Sequence, residues 1–121
     1  MQKSSFWTSL RHAWDGFYET LKEERNLRIH MVFAVFAIVM GLLLRVEATG
    51  LAVLALTIAL VISLELVNTA LERTLDEISP EFRPGIRRAK DSAAAAVLVA
   101  AVAAVIVGVL LFGGRLLALI C

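Results

Sequence analysis

Cysteine occurs once in this chain, at Cys121, proline twice, at Pro80 and Pro84, and tyrosine once, at Tyr18. A lone cysteine excludes a disulfide framework and a thiolate metal cluster. Several catalytic signatures are missing as well. There is no G-x-x-x-x-G-K-[ST] loop and no kinase-type glycine loop, which excludes the familiar nucleotide-binding folds. Neither H-E-x-x-H nor G-x-S-x-G occurs, and the scarcity of histidine and cysteine argues against zinc chemistry. Residues 1–25 alternate charged and apolar positions without a continuous apolar core, so no cleavable leader is expected there. Charge is sparse too, at 19% of residues, whereas 60% are hydrophobic and mean hydropathy is +0.81. Soluble domains are about 45–50% apolar. The composition is that of a membrane protein, and 1–121 reads as a single membrane domain.

What is present falls into one surface helix and three spans, an all-α membrane fold. Over residues 4–25, Phe6, Trp7, Leu10, Trp14, Phe17, Tyr18 and Leu21 recur at helical steps while Arg11, Asp15, Glu19 and Lys22 fill other faces. Both tryptophans lie here, which suits a helix at the membrane–water interface. The apolar run from Met31 to Leu44 is short for a crossing. Counted with its flanks, 27–46, it reaches the roughly 20 residues that a core about 30 Å thick requires. Arg45 to Gly50 reads as a turn, 51–71 as the second span, 76–91 as a polar connection and 93–112 as the third span. Pro84 suits the first turn of that last helix. Its alanines, Ala93–Ala96, Ala100, Ala101, Ala103 and Ala104, suit close helix packing in lipid.

Basic residues set the orientation. Five precede the first span (Lys3, Arg11, Lys22, Arg25, Arg28) and five cluster around the second connection (Arg73, Arg83, Arg87, Arg88, Lys90), against Arg45 and Arg115 elsewhere. Cytoplasmic loops carry the excess of Lys and Arg. The N-terminal helix and the 76–91 loop are therefore expected in the cytoplasm.

The second span carries the chemistry. In Glu65-Leu-Val-Asn68-Thr-Ala-Leu-Glu72-Arg-Thr-Leu-Asp76 the polar residues step by three, four and four, which keeps them on one side of a helix. An acid at a helix centre costs roughly 2.5–3.5 kcal/mol on insertion scales, so Glu65 needs a reason to be there. Glu24, Arg28, Lys90 and Asp91 fall near the same membrane boundary. Carboxylates at this density suit a hard divalent cation held together with substrate phosphates. A further carboxylate can take a proton from an attacking hydroxyl. Three readings stay open on the residues alone. They are phosphoryl transfer to a membrane-dissolved alcohol, a small proton-coupled transporter with Glu65 in its relay, and a structural subunit whose ridge only pairs helices.

At these residues the chain resembles the small prokaryotic membrane kinases, the diacylglycerol kinase and undecaprenol kinase family. Two further stretches match it, Ile86-Arg-Arg-Ala-Lys90-Asp91-Ser-Ala-Ala-Ala-Ala-Val-Leu and Glu23-Glu24-Arg25-Asn26-Leu27-Arg28-Ile29-His30. The resemblance runs from about Leu10 to Phe112. It implies a homotrimer in the bacterial plasma membrane with composite sites, using MgATP to phosphorylate a lipid alcohol, and no nucleic-acid partner. It further implies Glu65 as general base, Glu24 and Glu72 as Mg²⁺ ligands, and Asn68 as a positioning residue. Lys90 would face the phosphates and Asp91 the nucleoside, with Glu81, Phe82 and Arg83 also near ATP. The lipid would lie near Ala13, Trp14, Asn26, Arg28 and His30. Enterobacterial diacylglycerol kinases carry serine, glutamate and serine where this chain has Ala13, His30 and Ala94. The Glu-Arg-Asn-x-Arg-Ile-His segment and Ser79-Pro80-Glu81 look like the Gram-positive type, which implies undecaprenol as acceptor and diacylglycerol as the alternative.

Overall fold

A computed structural model of the chain describes residues 5–81 and 83–121. Lys3, counted in the charge balance, and Phe82, expected near the nucleotide, lie outside the described residues. Four helices follow in order: α1 Phe6–Glu23, α2 Arg25–Leu43, α3 Ala48–Ile78 and α4 Pro84–Ile120. Three of them, α2, α3 and α4, are long and apolar enough to cross a membrane.

Ser5 starts α1 as an N-cap, its hydroxyl accepting from the Thr8 backbone N–H at 3.2 Å. This satisfies one of the donors that a helix start leaves free. Along most of α1 the large side chains point outwards, Phe6, Trp7 and Trp14 among them, and Thr20 is its one buried residue. The helix ends at Glu24, which is extended (φ −102°, ψ 112°) and alone separates α1 from α2. Neither proline nor glycine makes this break. The guanidinium of Arg28, one turn into α2, donates to the carbonyls of Leu21 (3.0 Å) and Lys22 (2.6 Å). Those carbonyls would otherwise be left open at the end of α1. The same-helix ion pair available to Glu24 and Arg28 is not formed among the described residues.

At 1.5 Å per residue, the 19 residues of α2 span about 28 Å, close to one hydrocarbon core. The 31 residues of α3 span about 46 Å and the 37 of α4 about 55 Å. Both therefore outrun the bilayer. The ridge stays on one continuous helix to Asp76, and the connection reduces to the few residues between Ile78 and Pro84. Pro84 occupies the first turn of α4, where its missing N–H costs nothing.

The turn between α2 and α3 closes as a Schellman motif. Val46 N–H bonds the Gly41 carbonyl at 3.0 Å and Arg45 N–H that of Leu42 at 3.2 Å, with Arg45 at φ 55°. Gly41 and Gly50 let the helices meet here. A Cβ on Gly50 would stand 2.6 Å from Val46 Cγ1 and 3.2 Å from a Leu111 methyl.

The core is thin: Leu27, Ala34, Leu54, Val61 and Ala100 are the buried apolar residues. Phe33, Phe36, Leu56, Val105 and Leu110 are exposed on the spans. Lipid tails are as apolar as leucine, so burying such residues gains nothing and small residues decide where helices touch. The alanines of α4 divide accordingly. Ala100 packs inwards, whereas Ala94, Ala95, Ala96 and Ala103 face outwards.

Candidate active site

The inward side of α3 is marked by Leu54, Val61, Glu65, Asn68 and Thr69, all buried. Their steps of seven, four, three and one keep to one side of a helix. The lower half of that line is apolar and packs; the upper half is polar. Glu65 thus turns away from lipid and towards the other spans, with only 4% of its side chain exposed. His30 of α2 meets it, Nε2 standing 3.7 Å from Glu65 Oε2. Glu24, at the α1–α2 elbow, and Glu72, two turns along α3, add like charge to the surroundings of Glu65.

Beside this group, Asn68 Oδ1 and Thr69 Oγ1 are buried without any hydrogen-bond partner. A polar atom left in that state costs about 1–3 kcal/mol. Thr69 had an obvious remedy, a bond to the carbonyl four residues back. Thr20, Thr57 and Thr74 all make that bond at 2.7 Å. Thr69 was not singled out from the sequence, although it stands one turn beyond Glu65 on the polar ridge.

Nearer the membrane boundary the charges pair across helices. Arg73 Nη2 donates to Glu23 Oε2 at 2.7 Å and stands 3.8 Å from Glu24 Oε1, tying α3 to the elbow. Lys90 Nζ donates to Asp76 Oδ1 at 2.6 Å, joining α4 to α3. Asp76 thereby gains a partner among the expected phosphate-binding residues. Arg87 and Asp91 pair more loosely within α4, at 3.5 Å. Glu81 and Arg83 are exposed at the α3–α4 connection, and Ala13, Trp14 and Asn26 are exposed on α1 and the start of α2.

Among the described residues no three or more acidic, histidine or cysteine side chains form a metal cage. That is compatible with Mg²⁺, which keeps its waters and is bound through one or two carboxylates plus substrate phosphates. Glu24 and Glu72 carry hard oxygen donors of that kind, and Asn68, one turn before Glu72 on α3, has an unpaired acceptor in Oδ1.

Below the polar group the three spans splay. A groove of about 360 Å³ runs between α2, α3 and α4 from His30 to Phe112, past Phe33, Thr57, Ala101 and Ala104. Its size is within the usual range of ligand cavities, about 300–1,000 Å³. Apart from His30 and Thr57 its walls carry only apolar side chains and glycine. The groove therefore has one ionisable end, where His30 touches Glu65. An amphiphile with a hydroxyl head and a long apolar tail has the matching polarity.

Comparison with known proteins agrees with this chemistry. A family model described as prokaryotic diacylglycerol kinase matches residues 11–112. An undecaprenol kinase of Bacillus subtilis is 39% identical over 107 residues, covering 88% of this chain and 87% of that protein. A diacylglycerol kinase of Synechocystis is 47% identical over 101 residues, 83% of this chain and 58% of that protein. The diacylglycerol kinase of Escherichia coli is 34% identical over 87 residues, 72% of this chain and 71% of that protein.

Proposed function

The chain belongs to the prokaryotic diacylglycerol kinase family, and from that premise we propose that it transfers the γ-phosphate of MgATP to undecaprenol. It is a multi-pass membrane lipid kinase, which leaves the transporter and structural-subunit readings without support. The observation that carries the kinase chemistry is the position of Glu65: a buried acid 3.7 Å from His30, which lines the end of an apolar groove between the spans.

In this reading the alcohol oxygen attacks the γ-phosphorus and Glu65 accepts the hydroxyl proton. The bond from the γ-phosphorus to the bridging oxygen breaks, and ADP leaves with the electron pair. General-base help of this kind is worth about 10²–10⁴-fold. Glu24 and Glu72 would hold Mg²⁺, which would supply neutralisation of phosphate charge. Lys90, steadied by Asp76 at 2.6 Å, faces the transferring phosphoryl group. Asp91 takes the nucleoside side, Glu81 and Arg83 line the nucleotide approach, and Asn68 orients the reactants. Phosphoryl transfer asks little covalent work of the protein, so positioning and electrostatics carry most of the rate. The lipid head lies near Ala13, Trp14, Asn26, Arg28 and His30.

The active form is a homotrimer in the bacterial plasma membrane, with α1 and the α3–α4 connection in the cytoplasm. Support for the orientation comes from the ten-to-two distribution of basic residues.

The acceptor is tested by offering undecaprenol and dioleoylglycerol together in mixed micelles with radiolabelled ATP. Undecaprenyl phosphate should dominate the product. Phosphatidic acid as the dominant product would make diacylglycerol the acceptor, the activity named for the Synechocystis and Escherichia coli relatives.

A further inference from the structure

Accepting a proton at Glu65 raises the question of where that proton goes. Only 4% of the Glu65 side chain is exposed, so water has little access to it. The charges felt at Glu65 come from His30 on α2, Glu24 at the elbow and Glu72 on α3, and none from α4 among the described residues. Glu24 and Glu72 are carboxylates of the same sign, and in the reading above they hold Mg²⁺. Neither is suited to receive a proton. His30 differs in three respects. Its Nε2 is 3.7 Å from Glu65 Oε2, a small rotation from hydrogen-bond distance. Its side chain is 23% exposed, against 4% for Glu65, and it stands five residues from Arg25, the start of α2 beside the charged elbow. It also lines the polar end of the groove, beside the place where a lipid hydroxyl would sit.

We propose that His30 is the proton relay of this active site, taking the lipid-derived proton from Glu65 and releasing it to water at the membrane boundary. The proposal rests on Glu65 being the base. The steps balance. The hydroxyl proton moves to Glu65 as the oxygen–phosphorus bond forms and ADP departs. Glu65 then passes that proton to the lone pair on Nε2 of a neutral His30, which leaves a carboxylate facing an imidazolium. His30 gives up a proton to solvent, and both residues return to their starting state. Histidine suits the task because it changes charge within about pH 5–8.

The test compares His30→Gln, His30→Ala and Glu65→Gln, each checked for folding by its melting curve in detergent. Glutamine keeps a polar side chain but cannot carry a proton, so His30→Gln should lower kcat about 10²-fold and leave the KM for MgATP unchanged. The decline of kcat on acidification should also change, because a protonated imidazole cannot accept and this variant has none at position 30. Added imidazole should restore part of the activity of His30→Ala, and the restored rate should rise with pH as the free base is formed. A residue with a merely structural role would give neither response. Wild-type kcat and an unaltered pH profile in His30→Gln would overturn the relay, as would a folded His30→Ala with low activity that imidazole leaves unmoved. The two failures are distinguishable. An active Glu65→Gln sinks the base assignment and the relay with it, whereas an inactive Glu65→Gln beside an unaffected His30→Gln sinks the relay alone.

Discussion

Glu65 shows at the scale of one residue how function overrides local preference. A carboxyl group 4% exposed among apolar helices is costly to ionise, and its one close basic partner among the described residues is a histidine. Glu65→Gln keeps the shape and removes the charge. It should abolish most turnover, about 10²-fold or more, while MgATP binding measured by calorimetry is retained and the melting temperature holds or rises. Near-normal kcat would show that the proton goes elsewhere. Thr69 makes a second test of the same trade. Its hydroxyl is buried and unpaired, at a cost of about 1–3 kcal/mol. Thr69→Val should therefore raise the melting temperature in detergent and, if substrate or its water is the missing partner, lower kcat. Higher stability with unchanged kcat would make the hydroxyl idle. Spacing alone was enough to place Glu65, Asn68, Glu72 and Asp76 on one ridge. Thr69 stayed hidden because a helical threonine ordinarily bonds its own backbone, as Thr20, Thr57 and Thr74 do.

At the scale of elements, the decisive joint is the single extended residue between α1 and α2. Glu24 occupies it, held from two sides. Arg28 grips the last carbonyls of α1, and Arg73 reaches from α3 to Glu23 and Glu24. Exposed ion pairs contribute only about 0.2–1 kcal/mol, so Arg73 stabilises the fold little. Its importance is directional, because it fixes where the Glu24 carboxylate stands before MgATP arrives. Arg28→Gln should loosen the joint more, since its donors satisfy backbone groups. The expected result is a several-fold rise in the KM for MgATP together with faster amide exchange at the end of α1. An unchanged exchange rate would remove Arg28 from the joint and return it to a lipid-contact role. Sequence reading put the boundary between 4–25 and 27–46, within two residues of Glu24, but could not reach the contacts that hold the joint, because helical spacing relates residues within one helix. Glycine governs the opposite end. Gly50→Val should destabilise by about 1–3 kcal/mol, since even a Cβ there meets the stiff Val46 side chain at 2.6 Å.

For the whole molecule, hydropathy made the three crossings and the surface helix legible, because lipid demands long apolar helices and tolerates little else. It understated α3 and α4, whose helices continue through polar residues once a hydrogen-bonded ladder is established. The groove was not legible at all. It depends on how far α2 and α4 splay over α3, which small residues such as Ala100, Gly41 and Gly50 decide through contacts across the chain. Orientation is the property on which the proposed chemistry depends most, since that proposal has ATP meet the face that carries Glu72 and Lys90. Three crossings put α1 and the end of α4 on opposite sides of the membrane. In the proposed orientation, with the basic residues inside, Cys121, the chain's single cysteine and an exposed one, would lie outside. A membrane-impermeant maleimide should therefore label Cys121 in spheroplasts. A Glu81→Cys variant carrying Cys121→Ser should label only in inverted vesicles. The reverse pattern would place the carboxylates of the ridge away from cellular ATP and overturn the orientation on which the kinase mechanism relies.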